Sequence, residues 1–329
     1  MPLLDERHDF AHPVEGDEAW SESYYFNAYD PVSDSGFFTR IGVRPNEGTM
    51  DVGLSVWLPG GGLAHLSSVR ECREMTDTEL AVGGVRYERV EPMRSWRITA
   101  EGDASVQDTE RAPVALALDV RFDALTPAVG VDGQGSERDA RRGANGASAA
   151  TSQTVGKGHL EQAGRWTGWI GVDGARHELG DARGNRDKSW GPRRWGGPRM
   201  WRWFSINVGD DVAFGGIRIG TELGDLHRGW VWRDGEHASI REWDVHTELE
   251  PDGLTHRVTE VRATDKRGRV HELHGELLRV APVAHDRGGQ RTVLNEGLAR
   301  WTYEDRTGYG IAEYLHQLDG DGKPVVPIE

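Results

Sequence analysis

Val114-Ala-Leu-Ala-Leu-Asp-Val-Arg-Phe122 decides the fold class. Val114, Leu116, Leu118, Val120 and Phe122 occupy every second position. Ala115, Ala117, Asp119 and Arg121 fill the gaps. That period puts five apolar side chains on one face of a strand and would scatter them around a helix. The same alternation recurs on both sides. Val52, Leu54, Val56 and Leu58 run into Pro59-Gly60-Gly61-Gly62, and Trp96, Ile98 and Ala100 form a shorter stripe. Further alternating segments cover 166–172, 201–208, 212–219, 229–232, 243–249, 256–263, 270–280, 298–303 and 309–316. Asp173-Gly174, Asp234-Gly235, Asp252-Gly253 and Lys266-Arg267-Gly268 punctuate them. Turn signals at such short spacing predict an all-β chain of antiparallel meanders closing into sandwiches or barrels. Residues 71–80 read as a short helix.

The chain has 329 residues, a length that suggests two domains of roughly 150 residues each. With 39 Lys+Arg against 54 Asp+Glu, its net charge of −15 argues against nucleic acid and anionic membrane surfaces as partners. No run of about 18 apolar residues exists, so no membrane-spanning helix is expected. The opening Met1-Pro-Leu-Leu-Asp-Glu-Arg7 lacks an apolar secretory core. Cys72 is the only cysteine, which excludes an internal disulfide and a cysteine zinc site. A cytoplasmic location is the expectation; a homodimer is compatible with the sequence. Residues 123–158, rich in Gly, Ala, Ser and Asp, read as a flexible insert.

Nine of the 13 tryptophans fall between Trp166 and Trp243. Trp201 and Trp203 share one strand face, as do Trp230 and Trp232. Such pairs fit either a barrel core or domain interface, or an aromatic-lined cavity for an apolar ligand. No G-x-S-x-G, P-loop, H-E-x-x-H or dinucleotide fingerprint occurs. His271 and His274 point to opposite faces of a strand, so no metal site is expected there. His246 and His256 read as surface residues.

Residues 180–193, Gly-Asp-Ala-Arg-Gly-Asn-Arg-Asp-Lys-Ser-Trp-Gly-Pro-Arg, pack charges and glycines into a span that reads as an irregular loop. Asp187 there is either a turn-capping acceptor or a proton donor facing a cavity. Arg186 or Arg193 would then orient a ligand oxygen. A carboxyl in an apolar, Trp-lined site can stay neutral near pH 7. Upstream, His159 and Glu161 alternate onto one strand face. Near the end, Tyr314 and His316 share a face and Glu313 takes the other.

Arg186-Asp187-Lys188-Ser189-Trp190-Gly191 resembles the D-x-[N/S]-W-G loop of the tandem lipocalin-like superfamily. That superfamily includes carotenoid 1,2-hydratases, AttH-like proteins and fungal lipocalin-type Diels–Alderases. His159-Leu-Glu-Gln162, Met200-Trp-Arg-Trp-Phe204 and Gly308-Tyr-Gly-Ile-Ala-Glu-Tyr-Leu-His-Gln317 resemble segments of its bacterial members. Ser189 stands where Asn is frequent, and Arg186 where an aromatic residue or His is common. The resemblance implies two lipocalin-like β-barrel or half-barrel domains side by side, 1–195 and 196–329. It also implies that Asp187 protonates an alkene. The expected activity is a lyase or isomerase that hydrates, dehydrates or cyclises a terpenoid, steroid or polyketide-like substrate without cofactor or metal. Asp187 is the acid, with Arg186 or Tyr314 orienting. Trp190, Trp201, Trp203, His159, Glu161, Arg193 and His316 line the substrate site. The alternative is a carrier for a hydrophobic metabolite.

Overall fold

The computed structural model describes residues 1–107, 112–133, 151, 154–287 and 290–329. The chain forms two compact units. One holds Leu3–Asp132 and Gly158–Pro192. The other holds Met1–Pro2, the described part of Gly133–Lys157, and Arg193–Glu329.

The first unit is a twelve-stranded antiparallel sheet. Strands β1 (Trp20–Asp30), β2 (Ser35–Arg44), β3 (Thr49–Trp57) and β4 (Leu63–Glu71) form a meander. Then come β5 (Leu80–Val82), β6 (Val85–Glu91), β7 (Ser95–Val106) and β8 (Val114–Ala124). β9 (Val129–Asp132), β10 (Gly158–Val172), β11 (Ala175–Glu178) and β12 (Arg183–Pro192) complete it. The order is β11-β10-β12-β1-β2-β3-β4-β7-β6-β5, and β8 pairs with both β7 and β10, so the ladder returns on itself. The 114–122 stripe behaves as its spacing requires: all five apolar side chains are buried, and Ala115 and Arg121 between them are exposed. Each buried side chain of this size contributes about 1.5–3 kcal/mol. They join an aromatic core in which the Phe26 and Phe37 rings meet Trp166 edge-on.

Three sequence expectations change in this unit. Residues 72–79 are not helical; Thr76 Oγ1 accepts from the Thr78 and Glu79 amides and holds a turn between β4 and β5. Residues 183–192 are not an irregular loop but strand β12, paired over its length with β1 and over most of it with β10. The charges are tolerated because each finds a partner on one face or the other. The expected insert at 123–158 lies mostly outside the described residues. Of its described flank, Val129–Asp132 is strand β9, paired with β10.

The second unit contains a closed eight-stranded barrel. Its strands are β13 (Met200–Asn207), β14 (Val212–Thr221), β15 (Gly224–Arg233), β16 (Glu236–Leu249), β17 (His256–Asp265), β18 (Val270–Arg287), β19 (Gln290–Tyr303) and β20 (Arg306–Leu318). β20 pairs back onto β13 to close it. Phe204, Phe214, Trp243, Trp301 and Tyr303 fill the interior. Gly229 is needed for this packing: a Cβ there would lie 2.6 Å from the Trp243 ring. No helix among the described residues is long and apolar enough to cross a membrane.

His256, expected at the surface, is instead buried inside this barrel, stacked on Tyr314 with ring centroids 4.0 Å apart. Burial, reinforced by the charge of Arg202, pushes His256 down to about 4 and His316 to about 3. Both are therefore neutral in the folded protein and titrate near 6.5 once unfolded. Their stabilising contribution is complete above pH 6.5 and is lost as pH falls towards those folded values. The expected loss at pH 5 is about 2 kcal/mol per histidine. Urea midpoints at pH 7 and pH 5 measure it, and His316→Gln should flatten the slope. Equal midpoints at both pH values would contradict the assignment.

Candidate functional site

β10 and β12 are neighbours in the first unit, and their register sets Glu161 opposite Asp187 and His159 opposite Ser189. Alternation then puts all four side chains on one face of the sheet. His159 Nε2 lies 2.5 Å from Asp187 Oδ2 and 3.7 Å from Glu161 Oε1. Glu161 is fully buried, whereas His159 and Asp187 keep partial exposure, 27% and 17% of their side chains. Two carboxylates thus converge on one imidazole nitrogen. These three donor atoms lie within 4.8 Å of one another, so the same set could also ligate a divalent cation.

Asn185 is two residues from Asp187 on the same face. It is 1% exposed, and neither its amide oxygen nor its amide nitrogen has a hydrogen-bond partner. A buried amide left this way is rare and costs about 1–3 kcal/mol. It offers an NH₂ donor group and an acceptor oxygen to whatever occupies this face. The sequence reading missed Asn185 because its segment read as loop, where alternation carries no information.

The opposite face of β12 corrects two expected roles. Arg186 does not share a face with Asp187. It points inward, where Nη1 donates to Asp9 Oδ1 at 2.5 Å and Nε donates to Gln162 Oε1 at 2.7 Å. Trp190 also points inward and stacks on His12, centroids 3.8 Å apart, with His8 next in the stack. It is therefore not the aromatic wall of the Asp187 face. Gly158 lies opposite Trp190, where a Cβ would fall 2.0 Å from the indole. Lys188, between Arg186 and Trp190, pairs with Glu22 at 2.5 Å and donates to the carbonyls of His8 and Phe10. Arg89 donates to the Asp9 carbonyl and to Asp77. This interior network fastens the N-terminal turn Glu6–Asp9 to the sheet. Asp187 has an imidazole beside it rather than the apolar surroundings expected.

The remaining expected site residues belong to the second unit. Trp201 and Trp203 point outward from β13. Trp201 Nε1 donates to Glu313 Oε1 at 2.6 Å. Arg193 stacks over Trp195 and Trp201 and donates to the Val155 carbonyl. Tyr314 and His316 point inward while Glu313 points outward, as alternation requires. The Tyr314 hydroxyl is held between Thr247 and Thr259 at 2.9 and 2.8 Å. It is committed to the barrel interior, which removes it as the group that orients substrate for Asp187.

A family model described as Domain of unknown function (DUF7064) matches residues 5–318. No curated protein sequence matches the chain. Among solved structures, an AttH-type protein of Nitrosomonas europaea is similar at a TM-score of 0.65 and 16% identity, covering 95% of this chain and 97% of its own. CghA, solved with Sch210972, is similar at a TM-score of 0.54 and 11% identity, over 91% of this chain and 87% of its own. Kievitone hydratase of Nectria haematococca gives 0.54 and 11%, over 89% and 88%. These likenesses establish the two-domain lipocalin-like fold.

Proposed function

The chain belongs to the family described as Domain of unknown function (DUF7064), on a fold shared with CghA and kievitone hydratase; from that premise we propose a cofactor-independent lyase or isomerase that protonates carbon on a hydrophobic substrate. The observation that carries this reading is the Asp187–His159 contact, with Glu161 as a second carboxylate on the same nitrogen. Hydration is the form the triad suits best. The Asp187–His159 couple delivers its proton to one alkene carbon, and the π pair becomes the new C–H bond. Water attacks the cation left on the other carbon and gives up its proton to Glu161 or Asp187, so the net change is addition of water. A buried carboxylate facing the cation lowers the barrier electrostatically. A conjugated enone would be protonated more readily, with the Asn185 amide donating to its oxygen.

The test is product analysis by mass spectrometry on a panel of prenylated phenols, terpenoid alkenes and conjugated enones. Gain of one water, or an isomer of equal mass with altered retention, is the expected result on at least one class. Saturable binding of several members with every one recovered unchanged would identify a carrier instead.

A further inference from the structure

The barrel of the second unit holds a buried cation without an ion-pair partner among the described residues. Arg202 is 3% exposed and points inward from β13, on the same face as Phe204. Its guanidinium carbon lies 4.2 Å from the Tyr314 ring centroid, and Nη1 donates to the Trp201 carbonyl at 2.8 Å. Among the described residues no carboxylate forms an ion pair with it. The two carboxylates whose charge reaches it, Glu329 and Asp225, are bonded to Arg218. A buried ion is costly unless paired, and one aromatic face offsets only part of that cost.

Two neighbours of Arg202 carry buried ring nitrogens without hydrogen bonds. His316, diagonal to it through the β13–β20 register, is fully buried with neither ring nitrogen hydrogen-bonded. His256 Nε2 donates to the Ala312 carbonyl at 2.8 Å, which fixes its tautomer and leaves Nδ1 as an acceptor without a partner. The charged and titratable groups facing this end are Arg218, Asp225, His227 and Glu329, besides the two histidines and Tyr314. Arg202 stays cationic at neutral pH, since burial lowers it only to about 10. A planar guanidinium with no carboxylate partner, beside a neutral imidazole with an N–H to offer, is the complement of one group above others, a carboxylate.

We propose that this end of the barrel interior binds a small organic carboxylate, gripped by the Arg202 fork and by an N–H of His316, with Tyr314 stacked behind the guanidinium. The protonated or neutral form of the same ligand would leave the fork unpaired, so binding depends on the anion.

The experiment titrates the full chain with acetate and, at the same ionic strength, with its neutral isostere acetamide. Calorimetry and the Arg202 Nε–H resonance, assigned by comparison with Arg202→Lys, report binding. Saturable acetate binding that moves this resonance, at least about tenfold tighter than acetamide, is expected. Arg202→Gln should weaken acetate by about tenfold or more, and Arg202→Lys by less. Asp187→Asn should bind acetate as the parent does, so this site stands or falls separately from the proposed protonation chemistry. Equal affinity for acetate and acetamide, or a resonance unmoved by saturating acetate, would show Arg202 to be a stacked structural cation and overturn the proposal. If Arg202→Gln does not fold, the parent comparison and the resonance still decide it.

Discussion

Asp187→Asn is expected to lower turnover by about 10²–10⁴-fold, the range a positioned general acid contributes. The substitution keeps the side chain's shape but leaves an amide that cannot deliver a proton to carbon. Binding should change little, because the apolar part of the substrate makes no use of that proton. The measurement is kcat and KM on the substrate class identified by product analysis, with a fluorescence titration for affinity. His159→Asn should also lower kcat, since it removes the ring nitrogen hydrogen-bonded to Asp187. A parent-like kcat for Asp187→Asn would remove the acid from the mechanism.

The second large effect concerns stability. Asp9 is fully buried and accepts from the Arg186 guanidinium and from the Met93 amide, both at 2.5 Å. Asp9→Ala strands the Arg186 charge on the inner face of the sheet. The expected cost is about 3–5 kcal/mol, the range for removing one member of a buried ion pair. Replacing both members, Asp9→Ala with Arg186→Met, should cost less than Asp9→Ala alone, because no uncompensated charge remains. Urea unfolding of the parent, both single variants and the double variant completes the cycle. A loss under about 1 kcal/mol for Asp9→Ala would mean that solvent reaches the pair and screens it.

The fold was legible wherever one face of a strand is apolar. The 114–122 stripe and its counterpart beginning at Val52 became strands with the faces their spacing requires. Strand β12 was illegible for a physical reason. Its two faces are both buried and both polar, so apolar alternation is absent, although Arg186, Lys188 and Trp190 do alternate with Asp187 and Ser189. Reading that segment as a loop had direct consequences for the site. It put Arg186 and Trp190 beside Asp187, whereas a strand turns them to the other side. The pairing of His159 with Glu161 came through because two residues apart on a strand is a local property. Their meeting with Asp187 depends on the register between β10 and β12, which local spacing does not encode. His256 was misread for a similar reason: a polar residue flanked by polar residues looks solvated until the barrel closes over it.

The most direct measurement is deuterium incorporation from D₂O into the product, followed by NMR. If Asp187 and His159 exchange their proton with solvent and pass it to carbon, each turnover places one deuterium on a single carbon and on one face of it, and Asp187→Asn abolishes the signal. A product formed at the parent rate without deuterium on carbon, or a substrate that binds and is recovered without label, would contradict protonation of carbon at this site.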